Sequence, residues 1–440
     1  MQSLQFFVTI IIRTFTRQIL VNKLGIENNF TSIVFFDIHK LSNAKRILQS
    51  NLIDWESLYP FETKKRNCTN INTNIVEIKS GTTNKYQQQI LSLQEKIRIY
   101  ATDYLIWYKM IVGLANKYEN TIRWNYASYA EYNGSIKLSD GQLTAYIEPR
   151  DINGAAESMI SFAEYCKRNN IDFIYVQAPY KISEVQDKKI SGIMDFSNQN
   201  ANALIKQLVH AGIDVYDLRE RIESENLNHH RLFYRTDHHW LAETGLWASH
   251  HILNYLNQKY KYDIDASILN SSQFKRVLYP KWFLGSQGKK VTLSVTTPED
   301  FSLFYPTYKT AIHFAIPDAD IDLEGDFSII YDMKSVEYID YYDKNPYGAY
   351  MYGDHATASF ENHLSTNNLR LLFIHDSFGN SVIPFVSLGV KHIDCIDLRH
   401  FTGSVQNFIE KEKPDAVIVL YNPSSIKSSA EIHKATFDFR

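Results

Sequence analysis

Regular alternation of apolar and polar residues begins at Gly134 and is weak before it. Residues 136–147 alternate as two short strands around Asp140-Gly141, a dipeptide that favours the positive backbone angles of a tight turn. Residues 153–168 place Ala155, Met159, Ile160, Phe162, Ala163 and Cys166 on one side of a helix. Residues 171–176 form an apolar strand that stops at Ala178-Pro179-Tyr180-Lys181. A helix at 201–211 and a strand at 213–218 follow. At 241–255, Leu241, Leu246, Trp247, Ile252 and Tyr255 predict another helix, with Thr236 or Asp237 placed to cap it. The pattern then breaks from about 281 to 350, where 291–295 and 311–316 read as antiparallel strands. It resumes with strands at 369–374, 392–397 and 416–420 and helices at 381–388 and 405–411. Strands and helices alternating at this spacing predict crossovers and a parallel sheet. The expected fold class is therefore α/β, one domain over 134–440 with a β-rich insertion at about 281–350.

Residues 1–133 give less. The apolar run 6–12 is interrupted by Arg13 and Arg17. It is far shorter than the roughly 20 residues of a membrane span, and no signal peptide is legible. Residues 67–89, rich in Asn, Thr, Lys and Gln, read as a loop, and 90–122 as helical. The expectation is an irregular, helical N-terminal region without a chemical site. Its aromatic residues Trp107, Tyr108, Trp124, Tyr126 and Tyr129 serve packing or a sugar groove.

Composition changes this picture little. The 29 Tyr and 25 Phe suit either a large core or a carbohydrate cleft. A net charge of −3 gives no reason to expect a nucleic-acid partner. Cys68, Cys166 and Cys395 follow no zinc or redox spacing and read as buried thiols. His229, His230, His238, His239, His250 and His251 crowd one stretch. They lack a His-Glu-x-x-His pattern, and adjacent helical residues point apart, so most read as solvated helix-end side chains. Neither a metal nor another cofactor is expected.

Candidate chemistry lies in two places. Tyr234-Arg235-Thr236-Asp237-His238-His239-Trp240 brings a carboxylate and two imidazoles to the entry of a helix. Far downstream, the strand ending at His375 turns sharply at Asp376-Ser377 before a helix. A serine hydroxyl needs a base to take its proton, best a histidine oriented by a carboxylate. Asp237, His239 and Ser377 supply these three parts, and such triads occur in several chain orders.

The string Asp237-His238-His239-Trp240, with His375-Asp376-Ser377-Phe378-Gly379-Asn380 much later, resembles the bacterial DHHW-motif family. That family is related to the SGNH-like O-acetyltransferases of alginate and other exopolysaccharide export systems. The likeness runs from about 134 to 424 and includes Val176-Gln177-Ala178-Pro179-Tyr180-Lys181 and Phe283-Leu284-Gly285-Ser286-Gln287-Gly288. It implies an SGNH-like α/β/α sandwich, with Ser377 as the acyl-carrying nucleophile, His239 as base and Asp237 as its orienter. SGNH enzymes hold the oxyanion with a Gly and an Asn side chain, and the nearest counterpart here is Gly353-Asp354-His355. An ionised Asp354 cannot donate, so Gly285, Ser286 or Gly288 stand as alternative donors beside the Ser377 N–H. Tyr180, Lys181 and Trp240 are expected near the substrate. The resemblance also implies an extracytoplasmic location, a polysaccharide or oligosaccharide acceptor, and a membrane O-acyltransferase that hands over the acetyl group.

Three functions fit. They are acetyl transfer to polysaccharide hydroxyls, hydrolysis of such esters by the same triad, and non-catalytic carbohydrate binding or assembly on this scaffold.

Overall fold

The computed structural model describes residues 129–132, 134–138, 140–187, 195–429 and 436–439. The expectations for the N-terminal run, the 67–89 loop, the 90–122 helix, the boundary at 133 and Cys68 lie outside these residues. The described residues belong to one compact unit within 112–440.

In chain order the elements begin with three short strands, β1 (Tyr129–Tyr132), β2 (Ser135–Leu138) and β3 (Leu143–Thr144). Next come α1 (Asn153–Arg168), β4 (Asp172–Gln177), α2 (Ser197–His210), β5 (Asp214–Asp217) and α3 (Leu218–Ser224). The long helix α4 (Ala242–Tyr260) precedes β6 (Phe274–Phe283), α5 (Ser286–Val291) and β7 (Glu299–Pro306). Then follow β8 (Ile312–Ile316), β9 (Ile321–Gly325), β10 (Thr357–Asn362) and β11 (Arg370–His375). The chain closes with α6 (Ile383–Ser387), β12 (His392–Ile396), α7 (Val405–Glu412) and β13 (Ala416–Tyr421).

Eight strands form the main sheet in the order β5-β4-β13-β11-β12-β10-β8-β9. The first five are parallel neighbours, and β10, β8 and β9 add on antiparallel. The central strands are buried on both faces, which explains their near-continuous apolar runs. One face of them, through Tyr175, Leu372, Ile374, Val417 and Val419, shares a core with residues of α1, α2 and α7. The other, through Ile174, Val176, Leu371, Phe373 and Ile418, shares a core with α4 and α6. Burial of each such side chain is worth about 1.5–3 kcal/mol. The result is the α/β/α sandwich that the motif resemblance implies.

Two expectations change. The stretch at 291–295 is the end of α5 and a turn, because Thr292 takes a positive φ of 68° that ends the helix. The strand expected at 311–316 is β8, which pairs with β10 and so extends the main sheet, bringing β9 with it; β6 and β7, which the alternation does not predict, pair as a separate two-stranded sheet. Among the described residues, no helix is long and apolar enough to cross a membrane.

Candidate active site

Ser377 lies two residues beyond the end of β11, at the carboxyl edge of the parallel strands, where open α/β sheets place their ligands. Asp376 makes the turn rigid. Its carboxylate accepts from the Phe378 N–H at 2.9 Å, the Asn422 N–H at 2.8 Å and the Ser425 hydroxyl at 2.6 Å. The turn thus leans on the end of β13, and the Ser377 side chain is held rather than free.

The Asp-His-His-Trp loop is held as firmly. Trp240 is fully buried and donates its indole N–H to Ser381 Oγ at 2.8 Å, tying the loop to the segment after Ser377. Asp237 and Thr236 do not cap α4, whose N-cap is Leu241. Asp237 Oδ1 accepts instead from the His239 N–H at 3.0 Å and from His239 Nδ1 at 2.6 Å. Oδ2 accepts the Ser286 N–H at 2.5 Å. His239 Nε2 then lies 2.7 Å from Ser377 Oγ. Asp237, His239 and Ser377 therefore form one hydrogen-bonded line although 138 positions separate the last two. Burial alone raises the Asp237 carboxyl, but His238, His239 and the donated hydrogen bonds outweigh it and hold it well below the usual carboxylate range.

The His239 ring is clamped on both faces. Tyr347 stacks at 3.9 Å with 13° between planes, and His238 lies at 3.8 Å with a 39° tilt. Two rings so close to one imidazole cannot share a face. Tyr347 also donates its hydroxyl to the Ser377 carbonyl at 2.9 Å, so it fixes base and nucleophile together. Tyr347 carries no signal in the sequence, because it sits in a 3₁₀ turn without periodicity.

The glycine-containing segment after β6 supports the loop rather than the substrate. Gly285 N–H donates to Thr236 Oγ1 at 2.9 Å, and Gly288 N–H to the Thr236 carbonyl at 2.8 Å. With the Ser286 N–H on Asp237, all three expected oxyanion donors are already engaged. A Cβ on Gly285 would stand 2.2 Å from Asp237 Cβ, so only glycine permits this approach. Asp354 is no donor either. Its oxygens accept from Asn380 Nδ2 at 2.8 Å and Arg399 at 2.9 Å. Burial raises its carboxyl, yet Arg399 and Asn380 bring the net shift below the ordinary value. The Ser377 N–H has no hydrogen-bond partner among the described residues and stays available.

Tyr180 and Lys181 do not line the cleft. The Tyr180 hydroxyl donates to the Ala145 carbonyl at 2.7 Å. Lys181 is fully buried behind the loop, and its Nζ shares its N–H groups among the carbonyls of Leu143 (2.7 Å), Tyr234 (2.5 Å), Arg235 (3.1 Å) and Asp237 (2.7 Å). Glu299 grips the same loop from its amide side, accepting from the N–H groups of Arg235 and Thr236, each at 2.6 Å. A lysine Nζ donor on the carbonyls and a carboxylate on the amides thus fix the backbone that carries Asp237.

Burial lowers the Lys181 amine to about 7, against the pull of Glu299 and Asp237. Between pH 7 and its ordinary 10.5 the unfolded chain therefore holds a proton that the native chain does not. Stability contributed at this site must rise with pH across that window, by at most about 1.4 kcal/mol per pH unit. Urea unfolding at pH 7 and pH 9 should show the wild type gaining relative to Lys181→Met. The variant itself should be destabilised by about 2–5 kcal/mol, since buried carbonyls lose their donor. An equal pH response of both proteins would refute the shift.

The remaining histidines are clips, not a solvated cluster. His229 is buried on the Tyr180 carbonyl, and burial lowers its pKa to about 4. His230 bridges Asp140 and Asp187, and His251 meets Glu225 at 2.9 Å. Cys166 and Cys395 are buried free thiols. Among the described residues, two groups have ligand atoms within 4.8 Å of one another, as a metal requires: Asp237, His238 and His239, and Asp354, Asp397 and His400. In the first, Asp237 and His239 spend those atoms on the line to Ser377. In the second, Arg399 already occupies the space between the two carboxylates.

Residues 143–266 match the family described as "SGNH hydrolase-like domain, acetyltransferase AlgX". No curated protein matches the chain. Among solved structures, Bacillus cereus PatB1 with a sulfonyl adduct aligns over 72% of this chain and 99% of its own, at 19% identity and a TM-score of 0.57. A DHHW family protein from Eubacterium siraeum aligns over 69% and 95%, at 16% identity and a TM-score of 0.54. At such identities the likeness is one of fold, and it spans nearly all of both relatives. The described part of the chain has an SGNH hydrolase-like fold, and its residues 143–266 are similar to the domain of the acetyltransferase AlgX.

Proposed function

We propose that this domain is an O-acyltransferase that moves acetyl groups onto hydroxyls of a cell-envelope or secreted polysaccharide through an acyl-serine. One observation carries the reading: Ser377 Oγ lies 2.7 Å from a histidine whose other nitrogen is fixed by a buried carboxylate at 2.6 Å. Because Asp237 only accepts, the His239 proton sits on Nδ1 and the lone pair on Nε2 faces the serine. Ser377 Oγ attacks the ester carbonyl of the donor as its proton passes to Nε2. The Ser377 N–H meets the developing oxyanion. Asp237 steadies the imidazolium, which returns the proton to the leaving alcohol. In the second half a sugar hydroxyl gives its proton to Nε2 and attacks the acyl carbon, and Ser377 Oγ leaves with the proton. The match to an acetyltransferase domain supports acetyl as the group carried. The sulfonyl adduct of PatB1, which shares the fold, fits a site that reacts with electrophiles.

Under this reading the protein works outside the cytoplasm, takes its acetyl group from a membrane O-acyltransferase, and delivers it to a polysaccharide or oligosaccharide. The test supplies p-nitrophenyl acetate and acetyl-free oligosaccharides, neutral and acidic, and follows products by mass spectrometry. Acetylated sugar beyond the level found without protein is expected. Free acetate alone, across all acceptors, would instead make the domain an esterase.

A further inference from the structure

His238 is the residue beside the triad that the mechanism leaves unused. Its side chain is 36% exposed, against 10% for His239. The ring lies one layer out from the base, on the face opposite Tyr347. Nδ1 stands 3.1 Å from Ser286 Oγ and 3.3 Å from Asp237 Oδ1. A carboxylate only accepts, and Ser286 directs its own proton to Gln287 Oε1 at 2.8 Å. Both neighbours thus require the His238 proton on Nδ1. Nε2 keeps its lone pair, and among the described residues nothing donates to it. Partial desolvation of the ring, followed by the neighbouring His239, lowers the imidazole below its ordinary value, which favours the neutral, accepting form at working pH.

From this geometry we infer that His238 Nε2 accepts a hydrogen bond from a second hydroxyl of the acceptor, next to the one that attacks. His238 is then a specificity residue for transfer, an inference that rests on the acyl-serine reading above. A vicinal diol can place one hydroxyl on His239 Nε2 and the other on His238 Nε2. The first loses its proton to His239, forms the new ester bond and releases Ser377 Oγ, which takes the proton back. The second stays intact and only orients. Water or a simple alcohol offers one oxygen and satisfies one nitrogen. The acetyl-enzyme should therefore partition towards diols, as found on glycans, beyond their concentration.

The test uses p-nitrophenyl acetate with ethylene glycol or ethanol at equal hydroxyl concentration, and measures the two acetate esters formed. The glycol-to-ethanol product ratio divides out any change in acylation rate. Wild type should favour glycol by about 2- to 10-fold, the worth of one neutral hydrogen bond. His238→Phe keeps a ring against His239 but has no acceptor, and its ratio should fall to about one. His238→Gln, with a carbonyl oxygen at similar reach, should keep part of the preference. A structural role alone would not separate Phe from Gln in this ratio. A wild type without nitrophenolate burst or acetyl-Ser377 would reject the acyl-serine reading itself. A normal burst with equal glycol-to-ethanol ratios in wild type and His238→Phe would overturn this inference and leave that reading intact.

Discussion

His239→Ala should lower turnover of an acetyl ester by about 10²–10⁴-fold, the usual worth of a positioned general base. The loss should fall on kcat, because the imidazole moves a proton and touches the donor only as bonds change. His238→Ala should cost far less, less than about tenfold, and should act through acceptor binding. The contrast follows from geometry. His239 alone reaches Ser377 Oγ, at 2.7 Å, and His239 alone has Nδ1 at 2.6 Å from Asp237. His238 lies 3.3 Å from the same carboxylate, and its side chain is more exposed than that of His239. Steady-state kinetics of both variants, with circular dichroism to confirm folding, decide the matter. An inactive His238→Ala beside a fully active His239→Ala would reverse the assignment.

The legible parts of the fold were those ruled by periodicity. Helix α1 has the bounds predicted for it, and β4, β11, β12 and β13 begin or end within a residue or two of their apolar runs. Fully buried parallel strands write themselves as continuous apolar segments, so β13 could be read from Ala416-Val417-Ile418-Val419-Leu420 alone. The 281–350 stretch was harder. Whether a strand such as β8 joins the main sheet or a local hairpin depends on partners far away in sequence, and alternation looks the same in both.

The site divides in the same way. Asp237, His239 and Ser377 are legible as the residue types a triad needs, within two motif-bearing stretches. The support around them is not. Tyr347 and Glu299 are single residues without a motif, and only the folded chain brings them to the loop. Lys181 and Gly285 carry a sequence signal that points to a task other than the one the fold gives them. A lysine at a strand end reads as a ligand for substrate, yet the fold buries this one on four carbonyls. A Gly-Ser-x-Gly segment reads as an oxyanion cradle, yet its N–H groups are spent on Thr236 and Asp237.

Ser377→Ala is the other change with a very large expected effect. Without Oγ there is no atom to carry the acyl group, so the covalent path closes. Residual ester turnover should be down by at least about 10³-fold, and only positioning and the oxyanion donor would contribute what remains. Stability should change little. Ser377 Oγ makes its hydrogen bond to His239, and the turn is held through Asp376, whose contacts the substitution leaves in place. Loss of activity with an unchanged unfolding midpoint would therefore separate chemistry from folding.

Covalent labelling reads this point without knowledge of the sugar. A sulfonyl fluoride or fluorophosphonate should add once per chain, and peptide mass spectrometry should place the adduct on Ser377. Labelling should slow steeply in His239→Ala and vanish in Ser377→Ala. An adduct that persists in Ser377→Ala, or that maps to another residue in the wild type, would contradict the account at its centre.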